Sequence, residues 1–251
     1  DITRILQLCR IAVGEGFVLV GAAVTFAALR HHPFVDRHVH ALAQAAGSVG
    51  ATGIQDAATW VGNVVQAMPA ADGAVVALAL EAEARVVDVQ GAAWRPVESL
   101  FLGPGVSAID PCRQLITHLR FPRPQAHWGT AWERVGRRPG LVLPILNCAV
   151  KLCLDPEGGE IVRAAVALGP VAPRPLRARA AEAALIGQVP GPSAFDQAAR
   201  TARAEADPRS STFRASREYR LATIAPLVSR ALACAAERAR GAVDGPLTYE
   251  E

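Results

Sequence analysis

Lysine is nearly absent: Lys151 is the one lysine among 26 basic residues, in a chain of 251 residues that carries 23 acidic ones and a formal charge of +3. So small and scattered an excess gives no electrostatic footprint for nucleic acid, and the one local cluster, Arg174, Arg177 and Arg179, reads as a solvated face. No C-x-x-C pair occurs. The five cysteines, Cys9, Cys112, Cys148, Cys153 and Cys234, are odd in number, which argues against a closed disulfide framework and for buried thiols in a reducing compartment. Cys148 and Cys153 fall in an apolar, strand-like run and read as inert core thiols, so any metal cluster must lie on another chain. His31, His32, His38 and His40 lack the Cys or Glu-His pair that would complete a tetrahedral zinc set. No apolar run reaches the roughly 18 to 20 residues of a membrane span. No basic head with an apolar middle opens the chain as a secretory signal, so a cytoplasmic location is expected. No Ser/His/Asp or Cys/His arrangement offers a nucleophile with its base, and no internal repeat is visible.

What is present is enough apolar residue, 51% of the chain, to fill two cores. Residues 11–13 and 17–20 predict a hairpin around Gly14-Glu15-Gly16. Thr25 is placed to cap a helix beginning near Phe26, and residues 41–50 predict a helix of small residues. Residues 74–84 have helical composition, 85–89 strand character, and 94–105 the Pro/Gly boundaries of a loop. A strand ending near Arg120-Phe121-Pro122 closes a first domain over residues 1–125. Residues 122–140 read as a crossing. A second domain, residues 138–245, follows, with a three-stranded antiparallel sheet and helices over 195–206 and 219–240 covering one side of it. The fold class is α+β.

The most informative stretch runs from Gly53 to Gly73. Glycine lets backbone amides approach an anion closely, and successive N–H groups form a concavity for it. Thr59 and Asn63 add a hydroxyl and an amide, and Asp72 places a carboxylate just beyond. A plain Gly-Asn turn before a Pro-initiated helix is the competing reading.

Thr59, Gly62, Asn63, Pro69 and Asp72 fall where the FAD-binding medium subunits of the molybdenum hydroxylases (the xanthine dehydrogenase and carbon monoxide dehydrogenase group) carry Thr-Ile-Gly-Gly-Asn followed by Ser-Pro-x-x-Asp. The chain resembles that family, with Trp60 and Val61 as departures. Gly21, Ala22 and Thr25 match its Gly-Ala-x-x-Thr motif near the flavin. Arg137-Arg138 match its paired arginines, the basic position before them falling at Glu133 or Arg134. Further on, Gly169-Pro170-Val171-Ala172-Pro173-Arg174-Pro175, then Glu182-Ala183-Ala184-Leu185-Ile186-Gly187, then Arg214-Ala215-Ser216-Arg217-Glu218-Tyr219-Arg220 match three signatures of its C-terminal domain in order. Ser216 reads there as a cap, and Tyr219 and Arg220 as packing or interface groups.

The resemblance implies a PCMH-type FAD-binding domain, N-terminally incomplete, followed by a CO dehydrogenase flavoprotein C-terminal-like domain. It implies that Gly21, Ala22, Thr25, Thr59, Val61, Gly62, Asn63 and Asp72 surround FAD, with Asp72 and Asn63 at flavin or ribityl groups. It implies a large partner with the molybdenum cofactor, a small partner with 2Fe-2S clusters, a dimer of heterotrimers as one arrangement, and NAD or oxygen as final acceptor. Family members usually begin with about fifty further residues containing an Ala-Gly-Gly-Thr-x-Leu loop. The chain is therefore expected to be a fragment, a product of gene splitting, or a subunit with an impaired flavin site; the rival to an FAD-carrying subunit is a scaffold subunit that has lost FAD, and if the loop is truly lost Trp60 is a candidate plug of the groove. A stand-alone enolpyruvyl reductase of the same fold fits less well, because the C-terminal signature belongs to the hydroxylase group.

Overall fold

A computed structural model describes residues 2–138 and 140–241. The last residues of the expected second domain, 242–245, lie outside the described residues.

The expected hairpin is β1 (Ile11–Val13) and β2 (Phe17–Gly21), with Ile11 opposite Val20. Six short helices follow: α1 (Phe26–His31), α2 (Pro33–His38), α3 (His40–Ser48), α4 (Thr52–Ala57), α5 (Trp60–Val65) and α6 (Asp72–Ala79). The chain then returns through β3 (Glu83–Asp88) and β4 (Gly91–Pro96), a small hairpin of β5 (Phe101–Gly103) and β6 (Val106–Ser107), and β7 (Leu115–Pro122). Strands β1-β2-β7-β3-β4 form one antiparallel sheet.

The second sheet begins earlier in the chain than the sequence pattern suggests. The 122–140 crossing contains β8 (Trp128–Val135), which pairs along its length with β9 (Leu146–Leu154). With β10 (Ile161–Gly169) these make the three expected antiparallel strands, and β11 (Leu176–Arg177) adds a two-residue edge. Helices α7 (Arg179–Leu185), α8 (Pro192–Glu205) and α9 (Arg217–Gly241) cover one face. Ser216 caps α9, accepting from the Tyr219 amide at 3.1 Å. Every residue of β9 is buried, because helices of the first domain cover its other face. Cys148 and Val150 point into the second core, whereas Ala149 and Ala167 join the first. Those alanines let α6 lie directly on the strands, and all eight α6 residues are buried in consequence.

Two glycines permit these close contacts. A Cβ on Gly129 would sit 1.8 Å from the Ala235 carbonyl oxygen of α9, and one on Gly169 would sit 2.4 Å from that of Pro69.

An ion network locks the seam. Lys151, 1% exposed in its side chain, pairs with Glu81, which also takes Arg163 at 3.1 Å and Arg177 at 3.6 Å. Arg177 and Glu182 are bidentate, and Glu182 accepts the Val166 amide at 2.9 Å. The Arg174, Arg177, Arg179 cluster is thus not a uniform solvated face: Arg177 is 7% exposed and structural. Nor are the thiols uniformly buried. Cys148 and Cys153 are, and burial raises both pKa values, but Cys9 and Cys112 are exposed. Among the described residues no group of three or more His, Cys, Asp or Glu is placed to hold a metal, and no helix is long and apolar enough to cross a membrane.

Candidate cofactor site

Two of the sequence-derived motifs meet. Thr25 and Thr59 form an isolated antiparallel bridge, flanked by Phe26 N–H to Ala58 carbonyl at 3.0 Å and Trp60 N–H to Val24 carbonyl at 3.4 Å. The Thr25 hydroxyl accepts from the Ala28 amide at 3.2 Å, and that of Thr59 from Gly62 at 3.0 Å. Each threonine therefore caps the helix it precedes, and the bridge sets the starts of α1 and α5 side by side. Thr25, Thr59, Gly62 and Asn63 are all partly exposed. A Cβ on Gly62 would lie 3.0 Å from the Thr59 hydroxyl, in the cradle that the cap occupies.

Asn63 lies one position further along α5. Its Oδ1 is buried without a hydrogen-bond partner and lies 2.6 Å from where a Gly73 Cβ would stand. An acceptor left this way is costly unless a donor is supplied. Asp72 is the first residue of α6, next in sequence to Gly73, and is 7% exposed. Asn147 Nδ2 donates to its carboxylate at 2.6 Å. Burial lifts the Asp72 pKa from 3.8 to about 6, with Asn147 and the charge of Arg134 acting the other way. Asn147 Oδ1 is a second buried acceptor with no partner. Asn147 escaped the sequence reading because 75 residues separate it from Asp72 and it sits inside an apolar strand run.

The remaining expected positions serve differently. Gly21 and Ala22 are buried, and a Cβ on Gly21 would meet the Leu8 carbonyl oxygen at 2.2 Å. Val61, 6% exposed, turns its side chain into the core. Trp60 is no plug. It is wholly buried, donates Nε1–H to the Gly73 carbonyl at 2.8 Å, and packs edge-on to Phe121 with centroids 6.0 Å apart. It ties α5 to α6, which brings Asn63 and Asp72 close.

Partly exposed threonine hydroxyls at two adjoining helix starts, with the unpaired Asn63 acceptor on α5 and the Asp72 carboxylate on the neighbouring α6, suit a ligand that is anionic at one end and rich in hydroxyls further along. A ribityl diphosphate has that pattern, so the residues present fit a flavin dinucleotide. Paired threonine-capped helices on an antiparallel sheet, fused through shared helices to a second sheet, define a two-domain cofactor-carrying class.

Comparison with known proteins gives the family. Residues 1–124 match the FAD binding domain in molybdopterin dehydrogenase, and residues 131–235 the CO dehydrogenase flavoprotein C-terminal domain. The xanthine dehydrogenase FAD-binding subunit of Escherichia coli is 28% identical over 242 residues, 96% of this chain and 82% of the relative. Subunit alpha of the 6-hydroxypseudooxynicotine dehydrogenase complex of Paenarthrobacter nicotinovorans is 30% identical over 240 residues, 96% and 80%. Among solved structures, a carbon monoxide dehydrogenase of Hydrogenophaga pseudoflava superposes with a TM-score of 0.88 at 30% identity, over 95% of this chain and 81% of that one. The chain belongs to the FAD-binding medium subunits of the molybdenum-hydroxylase dehydrogenases.

Proposed function

We propose that this chain is the electron-relay subunit of a cytoplasmic molybdenum hydroxylase complex. A large partner would carry the molybdenum cofactor and a small partner 2Fe-2S clusters, with two such heterotrimers forming the assembly. Bound FAD would supply the redox chemistry, taking electrons from the small partner and giving them to NAD or oxygen. This chain's residues bind and orient. The Val61 amide faces the diphosphate from the start of α5, aided by the Thr25 and Thr59 hydroxyls, while Gly62 leaves room for close approach and gives its own amide to the Thr59 cap. Asn63 and Asp72 accept hydrogen bonds from ribityl hydroxyls, with Asn147 holding the carboxylate in place. Gly21 and Ala22 carry α1 to its position through the backbone.

The observation that carries this reading is the Thr25–Thr59 bridge, which aligns the two capped helix starts on one partly exposed surface. The rival reading is a scaffold subunit that has lost FAD, which the Val61 departure and the C-terminal matches fit equally well; Trp60, buried in the core and bonded to Gly73, is not a plug of its groove. Cofactor extraction from the purified complex, followed by flavin fluorescence, is the test. One FAD per chain is expected, and its absence would favour the scaffold. Asn63→Ala should lower flavin occupancy while reduction of the molybdenum centre by substrate continues.

A further inference from the structure

The seam between the domains holds a cavity of about 310 Å³, outside the Thr25–Thr59 surface. Its apolar walls come from Met68 and Pro69, in the link between α5 and α6, and from Pro170 and Pro173 after β10. Its polar lining is Ser211, the Asp207 carboxylate and three guanidinium groups, those of Arg209, Arg214 and Arg220.

Arg220 is the unusual one. It is 3% exposed. Its Nη1 donates to the carbonyls of Ile145 at 2.9 Å and Pro170 at 3.0 Å, while Nε is buried with no partner. Among the described residues, no carboxylate lies within ion-pair distance of Arg209, Arg214 or Arg220. The carboxylate that lines the cavity, Asp207, is paired with Arg217 instead. Burial, and then the like charges of Arg214 and Arg209, lower the Arg220 pKa. A buried cation facing two others is unfavourable until a counter-ion arrives.

We propose that this cavity binds a phosphate ester of mononucleotide size, with its phosphate held by Arg209, Arg214, Arg220 and Ser211 and its body against the proline walls. Three planar donor forks suit a dianion better than a single carboxylate. The volume equals that of roughly ten waters, at the small end of ligand pockets, and exceeds what a bare inorganic ion fills. Pro69 also touches the Gly169 backbone beside Asn147, so the ligand abuts the wall that carries Asp72.

The test is calorimetric titration of the purified complex with adenosine monophosphate and with inorganic phosphate, at low and raised salt. The Arg209→Ala/Arg214→Ala double variant serves as the comparison, since both side chains are at least partly exposed and Arg220 is left to keep its structural bonds. Flavin content of the same samples is read separately, so that failure at the Thr59 surface and failure here are distinguishable. Expected are one saturable site per chain, tighter binding of the nucleotide than of phosphate, and at least a tenfold loss of affinity in the double variant. Equal affinity for the two probes would overturn the role given to the proline walls. No saturable binding, or binding that the double variant leaves unchanged, would overturn the site.

Discussion

Thr25 and Thr59 face one another across an antiparallel bridge, and each caps the helix that follows it. The bridge couples two local events, since a helix start that frays at one threonine withdraws the neighbour of the other. Thr25→Ala and Thr59→Ala should each cost about 1 kcal/mol of stability, as lost N-caps do. In a double-mutant cycle by denaturant unfolding the two should couple, because they share this contact. Strict additivity would mean that the bridge carries no coupling.

Asp72 should make the flavin-stripped protein less stable as pH rises. Its folded pKa of about 6 stands above the unfolded 3.8, so its contribution is whole below the unfolded value and is lost as pH passes through the folded one. The swing is about 3 kcal/mol at most. Asp72→Asn, which keeps an acceptor for Asn147, should remove it. Melting curves between pH 4 and 7 should therefore diverge, the variant gaining on the parent; parallel curves would contradict the buried carboxyl.

Glu81 slopes the opposite way. Burial acts to raise its pKa, yet Lys151, Arg177 and Arg163 together hold it below the usual 4.5. Its stabilisation is present above that value and is lost as pH falls through the folded pKa. Glu81→Gln leaves Lys151 buried without its main counter-charge and should cost about 3 kcal/mol, the lower end for a broken buried pair. Urea unfolding at pH 7 measures this, and a loss below the error of the fit would show that the Lys151–Glu81 pair adds nothing net to stability.

Gly129→Ala forces a Cβ to within 1.8 Å of the Ala235 carbonyl oxygen, so α9 must shift, at a cost of about 1–3 kcal/mol or more. Gly53→Ala in α4 is the control: a Cβ there meets nothing within 4 Å, and alanine should gain up to about 1 kcal/mol of helix propensity. Thermal melts that rank the two the other way would refute the packing of α9 on β8.

Local patterns carried much of this structure into the sequence. The Ile11–Val13 and Phe17–Gly21 hairpin, the Thr25 and Ser216 caps and the two long C-terminal helices each rest on a spacing within a few residues. What escaped was set by distant neighbours. Trp128–Val135 reads as a crossing because its flanking prolines and paired tryptophans mask a strand whose burial comes from β9 and α9. Arg177 looks like a surface cation until Glu182 and Glu81 are placed beside it. Trp60 resembles a plug because nothing nearby in sequence announces the Gly73 carbonyl that receives its N–H.

Because α6 and α3 pack on the second sheet while sharing one hydrophobic core with the first, neither half can swing away from the other without exposing its own interior. Under the proposed relay function, a carrier built this way would not shuttle its cargo between donor and acceptor as a tethered arm does. Each redox partner would instead come to a fixed edge, and the gap that an electron crosses would be set when the chain folds rather than at each turnover.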